Sequence, residues 1–195
     1  KVISCNPRLY DTKKSFLVRP SRLNSEWLSN YKEASLDKVR LLYVGRINPE
    51  KGIYNFIKLF DKINFKAEFS IVGYKKNIRS KNENIKLLGY CSDPKLLINI
   101  YDNHNIMILP SFTESHPYVV DECLSRKRPI IIFEEISYIV NNKKGIFVSK
   151  RNLEAFSNTV NFIMKNYKKI QVSMEENKLP TKKFFFKVFA EILNK

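Results

Sequence analysis

The sequence is poor in the features that build disulfide frameworks, zinc sites and membrane spans. Its 195 residues contain three cysteines, Cys5, Cys91 and Cys123, too few and too scattered for a disulfide framework or a zinc site. The longest apolar runs, such as Pro129 to Phe133, fall far short of the roughly 18 residues of a membrane span. No signal-peptide pattern opens the chain, which begins with Lys1. We therefore expect a reduced, cytoplasmic setting and a chain that is a piece of a longer protein.

Glycine is also scarce, with five residues in the whole chain. Neither the G-x-G-x-x-G fingerprint of dinucleotide-binding folds nor the G-x-x-x-x-G-K-[ST] loop of NTPases occurs, so both classes lose their main support. Gly45, Gly73 and Gly89 instead each follow an apolar run directly. In open α/β sheets this position lies at the ligand-binding edge, although tight turns alone would explain any one of the three.

Basic residues greatly outnumber acidic ones, with 35 Lys and Arg against 19 Asp and Glu and a net charge of +16. Such a balance favours anionic partners, namely nucleic acid, an acidic membrane surface or phosphorylated small molecules. A lysine-rich surface that is merely solvated would give the same balance. Charge alone therefore does not choose among these readings.

Six short apolar runs alternate with stretches whose apolar residues recur at helical spacing. The runs are Val39 to Val44, Ala67 to Val72, Ile85 to Leu88, Ile106 to Leu109, Ile130 to Phe133 and Gly145 to Val148. The stretches between them are Glu50 to Lys62, Asp93 to Asp102, His116 to Lys127 and Asn152 to Asn166. Apolar strands without polar alternation are typical of a parallel sheet covered on both faces. The pattern predicts an α/β fold, a Rossmann-like parallel sheet of about six strands flanked by helices.

The two ends of the chain differ from this middle part. Residues 1–38 contain one amphipathic segment, about Asn24 to Tyr31, and are predicted to be a connecting arm. Residues 39–170 form the predicted main domain, and residues 171–195 contain a predicted C-terminal helix. The apolar face of that helix carries Phe185, Val188, Phe189 and Ile192. It docks either onto the body of the protein or onto a partner domain.

The segment from Val44 to Gly52 is the first candidate site. A strand ends at Gly45, and Pro49 stands near the first position of the next helix, with Arg46 and Lys51 on either side of the turn. Cations beside a helix N-terminus favour a phosphate, because the helix dipole and the free N–H groups add to their charge. Alternatively, Arg46 pairs with a core carboxylate and Lys51 points to water.

The segment from Pro110 to Glu122 is the second candidate site. It follows the buried run Ile106 to Leu109, so its first residues are expected at the ligand edge. Pro117 suits the first turn of a helix, which puts Glu114 in the loop and Glu122 on the helix. Carboxylates suit a sugar because their oxygens accept hydrogen bonds from hydroxyl groups.

Together the two segments resemble the C-terminal domain of retaining GT-B glycosyltransferases, the large group 1 (GT4-like) family. They read G-R-x-x-x-E-K-G and P-S-x-x-E-S-x-P-x-x-V-x-E. Further segments follow in the family's order, namely Phe69 to Gly73, Ile85 to Tyr90, Leu96 to Tyr101, Arg128 to Ile131 and Lys144 to Val148. The resemblance covers about residues 39–166 and implies that residues 39–170 are a nucleotide-sugar-binding domain.

The resemblance implies roles for individual residues. Arg46 and Lys51 match the basic pair that binds the nucleotide diphosphate and stabilises its charge as the glycosidic bond breaks. Glu114 matches the glutamate that contacts the donor sugar, and Glu122 the one that holds the ribose hydroxyls. The remaining implied substrate-binding residues are Gly45 at the first turn, Gly89 and Tyr90 at the nucleobase, and Ser115, His116, Tyr118 and Val119 at the phosphates.

The resemblance also implies an activity. The expected reaction is transfer of a sugar, with retention, from a UDP- or GDP-activated donor to a glycan or lipid-linked acceptor, without metal or other cofactor. No Asp-x-Asp occurs in the chain, which fits a metal-independent mechanism. The family's N-terminal acceptor-binding domain has no counterpart in residues 1–38, so we expect this hexosyltransferase-type chain to be inactive alone.

The sequence departs from the family pattern in two segments. Ser115 and His116 replace small residues after the first glutamate, and Lys127 replaces the glycine that usually precedes the Arg128 to Ile131 segment. The change at Ser115 and His116 affects how the donor sugar is bound. The change at Lys127 affects a turn where the family's glycine lets the backbone approach closely.

Two further hypotheses follow from the charge. A basic nucleic-acid-binding α/β module without catalysis is the alternative function, but the sequence lacks recognisable RNA- or DNA-binding signatures, so no nucleic acid is expected. The basic clusters Arg126 to Arg128 and Lys182–Lys183, with Phe184 to Phe186, could rest on an anionic bilayer. This predicts peripheral attachment at the cytoplasmic face of the membrane.

Overall fold

The computed structural model describes residues 2–4, 15–73, 78 and 80–194. Its strands are β1 (Val2–Ser4), β2 (Ser15–Leu17), β3 (Val39–Val44), β4 (Ala67–Val72), β5 (Ile85–Gly89), β6 (Ile106–Leu109), β7 (Ile130–Phe133) and β8 (Ile146–Ser149). Its α-helices are α1 (Ile53–Phe60), α2 (Pro94–Asp102), α3 (Tyr118–Ser125), α4 (Leu153–Lys165), α5 (Tyr167–Met174) and α6 (Lys182–Leu193). The six predicted strands of the main sheet all form within a residue of their predicted ends.

The main sheet is parallel throughout and has the strand order β5-β4-β3-β6-β7-β8. The strands that follow β3 add on one side, and those from β6 onward add on the other. The point between β3 and β6 is therefore a topological switch point, and open α/β sheets bind ligands outside the carboxyl ends of the strands there. Both candidate segments leave the sheet at this point, because the first follows β3 and the second follows β6. The predicted Rossmann-like fold is confirmed.

Strands β6 and β7 are apolar throughout and lie in the core. Every residue of β6 and β7 is buried, as expected for strands covered on both faces. From α1, the ring of Phe56 lies edge-to-face with Phe69 of β4 and with Phe156 of α4, at centroid distances of 5.0 and 5.2 Å. These contacts fix α1, and with it the loop that carries Arg46 and Lys51, against the sheet.

Buried arginines hold the N-terminal arm against the main domain. The guanidinium of Arg126 forms an ion pair with Asp102 and donates to the main-chain oxygens of Trp27, Ser29 and Asn30 at 2.7 to 2.9 Å. In the arm itself, Ser25–Leu28 form a short 3-10 helix that buries Trp27. The arm is thus packed closely onto α2 and α3.

This arrangement corrects the prediction that Arg126 to Arg128 form a surface for a bilayer. Arg126 and Arg128 are 1% and 2% exposed, and both donate to main-chain oxygens of the arm. Lys127 pairs with Glu175 at 2.6 Å. The backbone of Lys127 has a φ of +52°, the left-handed conformation that favours glycine, so the lysine adopts the conformation that suits the glycine it replaces.

Helix α6 presents its predicted apolar face to the protein. Ile192 is buried and Phe185, Val188 and Phe189 are partly buried, whereas Phe184 and Phe186 are exposed. None of the helices in the described part of the chain has both the length and the apolar character needed to cross a membrane. The division at residues 38 and 170 stays a prediction.

Candidate functional site

A cleft of about 510 Å³ opens at the carboxyl edge of the sheet, at the switch point between β3 and β6. The turns after β3, β4 and β5, the loop after β6, the first two turns of α3 and one residue of the arm line it. Of the predicted site residues, Gly45, Arg46, Lys51, Tyr90, Glu114, His116, Tyr118, Val119 and Glu122 all face this cleft. Gly89 lies directly before Tyr90, and Ser115 lines a smaller neighbouring cavity.

Glycines allow the loops around the cleft to approach one another. Gly52 has a φ of +64°, and a Cβ there would lie 1.9 Å from the main-chain oxygen of Pro110. A Cβ on Gly73 would lie 2.3 Å from the main-chain oxygen of Gly45. The N–H of Phe112 donates to the main-chain oxygen of Glu50 at 3.0 Å, which ties the first candidate segment to the second. The close approach brings Lys51 to Glu114.

Lys51 and Glu114 form an ion pair in the cleft. Lys51 Nζ lies 2.7 Å from Glu114 Oε1, which also accepts a hydrogen bond from Ser111 Oγ at 2.6 Å. The two side chains are 17% and 7% exposed, so solvent screens the pair only weakly. The hydroxyl of Tyr138 accepts from the N–H of Glu114 and donates to its main-chain oxygen. Glu114 is therefore fixed in both its carboxylate and its backbone.

Arg46 is held far more loosely. Its side chain is 73% exposed and lies 3.5 Å from Glu50. The alternative in which Arg46 pairs with a core carboxylate and Lys51 points to water is therefore wrong, since Lys51 makes the buried pair. The exposed guanidinium of Arg46 is free to turn towards an anion in the cleft.

Glu122 lies on the cleft wall, on α3, and is 4% exposed. The hydroxyl of Tyr101, at the end of α2, donates to Glu122 Oε2 at 3.1 Å. Burial raises the pKa of the Glu122 carboxyl, and the hydrogen bond from Tyr101 and the charge of Arg22 partly offset that effect. The carboxylate is thus placed to accept hydrogen bonds from hydroxyl groups.

His116 is an interior residue of the site and not a free surface group. Its side chain is 13% exposed, and its Nε2 lies 3.6 Å from Asp121 Oδ2. Neither atom has a hydrogen-bond partner among the described residues, while the other Asp121 oxygen pairs with Lys143 Nζ at 2.6 Å. Burial lowers the pKa of His116, and Asp121 acts in the opposite direction.

Several residues of the site were not predicted from the sequence. Ser111 and Tyr138 fix Glu114, Tyr101 fixes Glu122, and Arg22 reaches the cleft from the arm. The role of Tyr101 could have been suspected from the sequence, because it stands on the apolar face of a predicted helix and a buried tyrosine hydroxyl needs a hydrogen-bond partner. Nothing in the sequence indicated the roles of Arg22 and Tyr138, since only the folded chain brings residues so distant in sequence to this edge of the sheet.

The arrangement offers three cations, a helix N-terminus and two carboxylates on the wall of one cleft. Cations and a helix N-terminus suit a phosphate group, and carboxylates suit hydroxyl groups. A ligand that combines both kinds of group fits this set of side chains.

Comparison with known proteins assigns the chain to a family. The family model described as glycosyl transferases group 1 matches residues 28–179. The chain belongs to the group 1 glycosyltransferase family. A capsular polysaccharide biosynthesis glycosyltransferase, CapM of Staphylococcus aureus, is 26% identical over an alignment of 153 residues that covers 70% of this chain and 40% of CapM. The chain thus spans less than half the length of this curated relative.

Solved structures of glycosyltransferases share the fold. Sucrose-phosphate synthase from Thermosynechococcus elongatus superimposes with a TM-score of 0.76 at 17% identity, over 99% of this chain and 57% of that one. Anabaena HepE in complex with UDP and glucose gives 0.76 at 11% identity, over 100% of this chain and 62% of that one. The predicted membership of the group 1 glycosyltransferase family and the predicted fold are thereby confirmed.

Proposed function

We propose that this group 1 glycosyltransferase chain binds a UDP- or GDP-activated hexose in the cleft and supplies the donor half of a retaining transfer. The observation that carries the proposal is the convergence of Lys51, Arg46, Glu114 and Glu122 on one cleft at the switch point of the sheet. Solved relatives of the same fold include HepE with UDP and glucose bound. Membership of this family does not favour the alternative of a nucleic-acid-binding module.

In this proposal the diphosphate lies between the turn after β3 and the start of α3. The N–H groups of Tyr118 and Val119 belong to the first turn of α3 and have no partner within the helix. They and the cations Arg46 and Lys51 would surround the phosphate oxygens, as helix N-termini and basic side chains do in other phosphate sites. Glu122 would accept from the ribose hydroxyls, and Gly89 and Tyr90 would face the base.

Transfer breaks the bond between the anomeric carbon of the sugar and the phosphate oxygen. Negative charge then grows on the departing diphosphate, and fixed cations stabilise it without reorganisation during the reaction. We propose that Lys51, Arg46 and the start of α3 perform this role in place of a metal ion. The Glu114 carboxylate, fixed by Lys51 and Ser111, would position the sugar so that the acceptor oxygen attaches on the face from which the diphosphate leaves, and the acceptor hydroxyl would pass its proton to the departing phosphate oxygen.

Calorimetric titration of UDP and GDP tests the diphosphate site. Arg46→Ala and Lys51→Ala should each weaken the binding of the preferred nucleotide about tenfold or more, because each removes a charge-assisted hydrogen bond. Lys58→Ala is the matched control, since Lys58 lies in the last turn of α1, away from the cleft edge. Unchanged binding in both cleft variants would refute the assignment.

We further propose that the acceptor, a glycan or lipid-linked molecule, is bound by sequence outside these 195 residues. The chain spans 40% of its curated relative CapM, whose name places that protein in capsular polysaccharide biosynthesis. On this proposal the chain alone binds donor but transfers little sugar. An assay of donor turnover by the chain alone and by the full-length protein compares the two directly.

We also propose a cytoplasmic location with peripheral contact to an anionic bilayer through the start of α6. The supporting observation is that Lys182, Lys183, Phe184 and Phe186 are exposed together there. Flotation with liposomes should recover more protein when anionic lipid is included than with neutral lipid alone. Equal recovery from both would end this part of the proposal.

A further inference from the structure

Arg22 is a cleft residue that belongs neither to the sheet nor to its connecting helices. It lies in the N-terminal arm, yet its side chain lines the same cleft as Lys51, Glu114 and Glu122. Its guanidinium carbon lies 4.8 Å from the centre of the Tyr118 ring, a cation–π contact. Tyr118 is the first residue of α3, so this contact places the positive charge beside the helix start.

The backbone on both sides of Arg22 is anchored. Ser21 Oγ donates to the main-chain oxygen of Pro180, and the N–H of Lys182 donates to the main-chain oxygen of Leu23 at 2.7 Å. Ser21 and Leu23 are both buried, at 7% and 1% exposed. The backbone that carries Arg22 is therefore held beside the cleft.

Arg22 forms no ion pair with a carboxylate in the described part of the chain, whereas Lys51 already pairs with Glu114. Arg22 is also an exposed residue. Its positive charge does act on Glu122, whose carboxyl pKa it lowers against the larger effect of burial. A cation in this position, beside a helix start and facing a cleft, is available for an anionic ligand.

We propose that Arg22 is a third cation of the donor site and contacts the diphosphate from the α3 side of the cleft, which makes the arm part of the binding site. The inference rests on the proposed function, since it needs a nucleoside diphosphate in the cleft. Arg46 and Lys51 belong to the connection after β3, where they pair with Glu50 and Glu114. Arg22 instead supplies a positive charge beside Tyr118, at the start of α3. The planar guanidinium can make two parallel hydrogen bonds to phosphate oxygens while its face stays on the Tyr118 ring.

The test compares a nucleoside diphosphate with its uncharged nucleoside. Titrations of wild type, Arg22→Ala and Arg22→Lys use whichever of UDP and GDP binds, and ligand-observed NMR at millimolar concentration measures the matching nucleoside. We expect Arg22→Ala to weaken the diphosphate about tenfold and the nucleoside less than twofold, with Arg22→Lys in between. Arg19→Ala is the matched control, because Arg19 is an exposed arginine of the same arm that lines the neighbouring cavity instead.

Each other outcome contradicts a specific part of the inference. Unchanged diphosphate binding in Arg22→Ala, with the losses expected for Lys51→Ala, would show that Arg22 is not in the site. Equal losses for diphosphate and nucleoside would show that Arg22 acts through Glu122 and the ribose. An equal loss of diphosphate affinity in Arg19→Ala would show that the effect comes from the net charge of the arm and not from the position of Arg22. A wild-type chain that binds neither UDP nor GDP would instead refute the proposed function itself.

Discussion

At the scale of single residues, Glu122 shows a conflict between stability and ligand binding. It carries a carboxylate at 4% exposure, with one hydrogen bond from Tyr101. Because burial raises its pKa, the folded state holds a proton at pH values where the unfolded state has lost it. The ionised carboxylate therefore lowers stability, and this loss is complete once the pH exceeds the raised pKa.

Glu122→Gln should separate the two effects. The neutral amide removes the cost of the buried charge, so the melting temperature at pH 7.5 should not fall, and any gain should shrink as the pH drops towards the ordinary glutamate value of about 4.3. Affinity for the nucleotide should fall about tenfold, because a charged acceptor for hydroxyl groups is lost. Thermal melting across pH and nucleotide titration check both parts, and a clear drop in melting temperature at pH 7.5 would contradict this view of Glu122.

At the scale of elements, the site depends on how the turn after β3 packs on the loop after β6. Gly52 has no room for a Cβ against Pro110, whereas Gly89, with a φ of +79°, has open space around it. Gly52→Ala should therefore destabilise the fold by more than the roughly 1–2 kcal/mol that a left-handed alanine costs, and should also move Lys51 away from Glu114. Gly89→Ala should lower the free energy of unfolding only by the cost of an alanine in the left-handed conformation.

Denaturant unfolding and nucleotide titration measure this matched pair of variants. The expected order is a larger loss of stability and of affinity in Gly52→Ala than in Gly89→Ala. Equal losses in both quantities would mean that the contact between the two loops does not determine the site.

The elements themselves follow closely from the sequence. The run from Val39 to Val44, apolar except for Arg40, and the apolar run from Ile106 to Leu109 form strands with the same bounds, because buried parallel strands are mostly apolar. Helix α1 begins three residues later than Glu50, since Pro49–Lys51 form a separate 3-10 turn that ends at the left-handed Gly52. The close approach of Gly52 to Pro110 is not visible in local sequence.

The candidate site was partly visible in the sequence for a related reason. Arg46, Lys51 and Glu114 lie in the segments that follow β3 and β6, and the carboxyl ends of parallel strands meet at one edge. The partners that fix them were not visible, since Tyr138 and Arg22 come from segments without a periodic pattern. The buried role of Arg126 was hidden as well, because three consecutive basic residues read as a solvated surface until the carbonyls of the arm surround two of them.

At the scale of the whole molecule, Arg126 is the buried arginine that makes the most hydrogen bonds between the main domain and the arm. Arg126→Ala would leave Asp102 buried without its main partner and three carbonyls of the arm without a donor. Removing one partner of a buried ion pair typically costs about 3–5 kcal/mol, so we expect a fall in melting temperature of about 10 °C.

Lys127→Ala is the neighbouring control. Its ion pair with Glu175 lies near the surface, and such pairs contribute about 1 kcal/mol or less. Thermal melting should therefore show a small change for Lys127→Ala beside the large one for Arg126→Ala. Similar melting temperatures for the two variants would contradict the arm's dependence on Arg126.

A crystal structure of the chain with UDP or GDP, whichever binds more tightly, tests the central claim most directly. The account predicts that the diphosphate lies within hydrogen-bond distance of Lys51 or Arg46 and of the first N–H groups of α3, with the ribose at Glu122. A nucleotide bound at another surface, or a cleft without nucleotide at a saturating concentration, would contradict it.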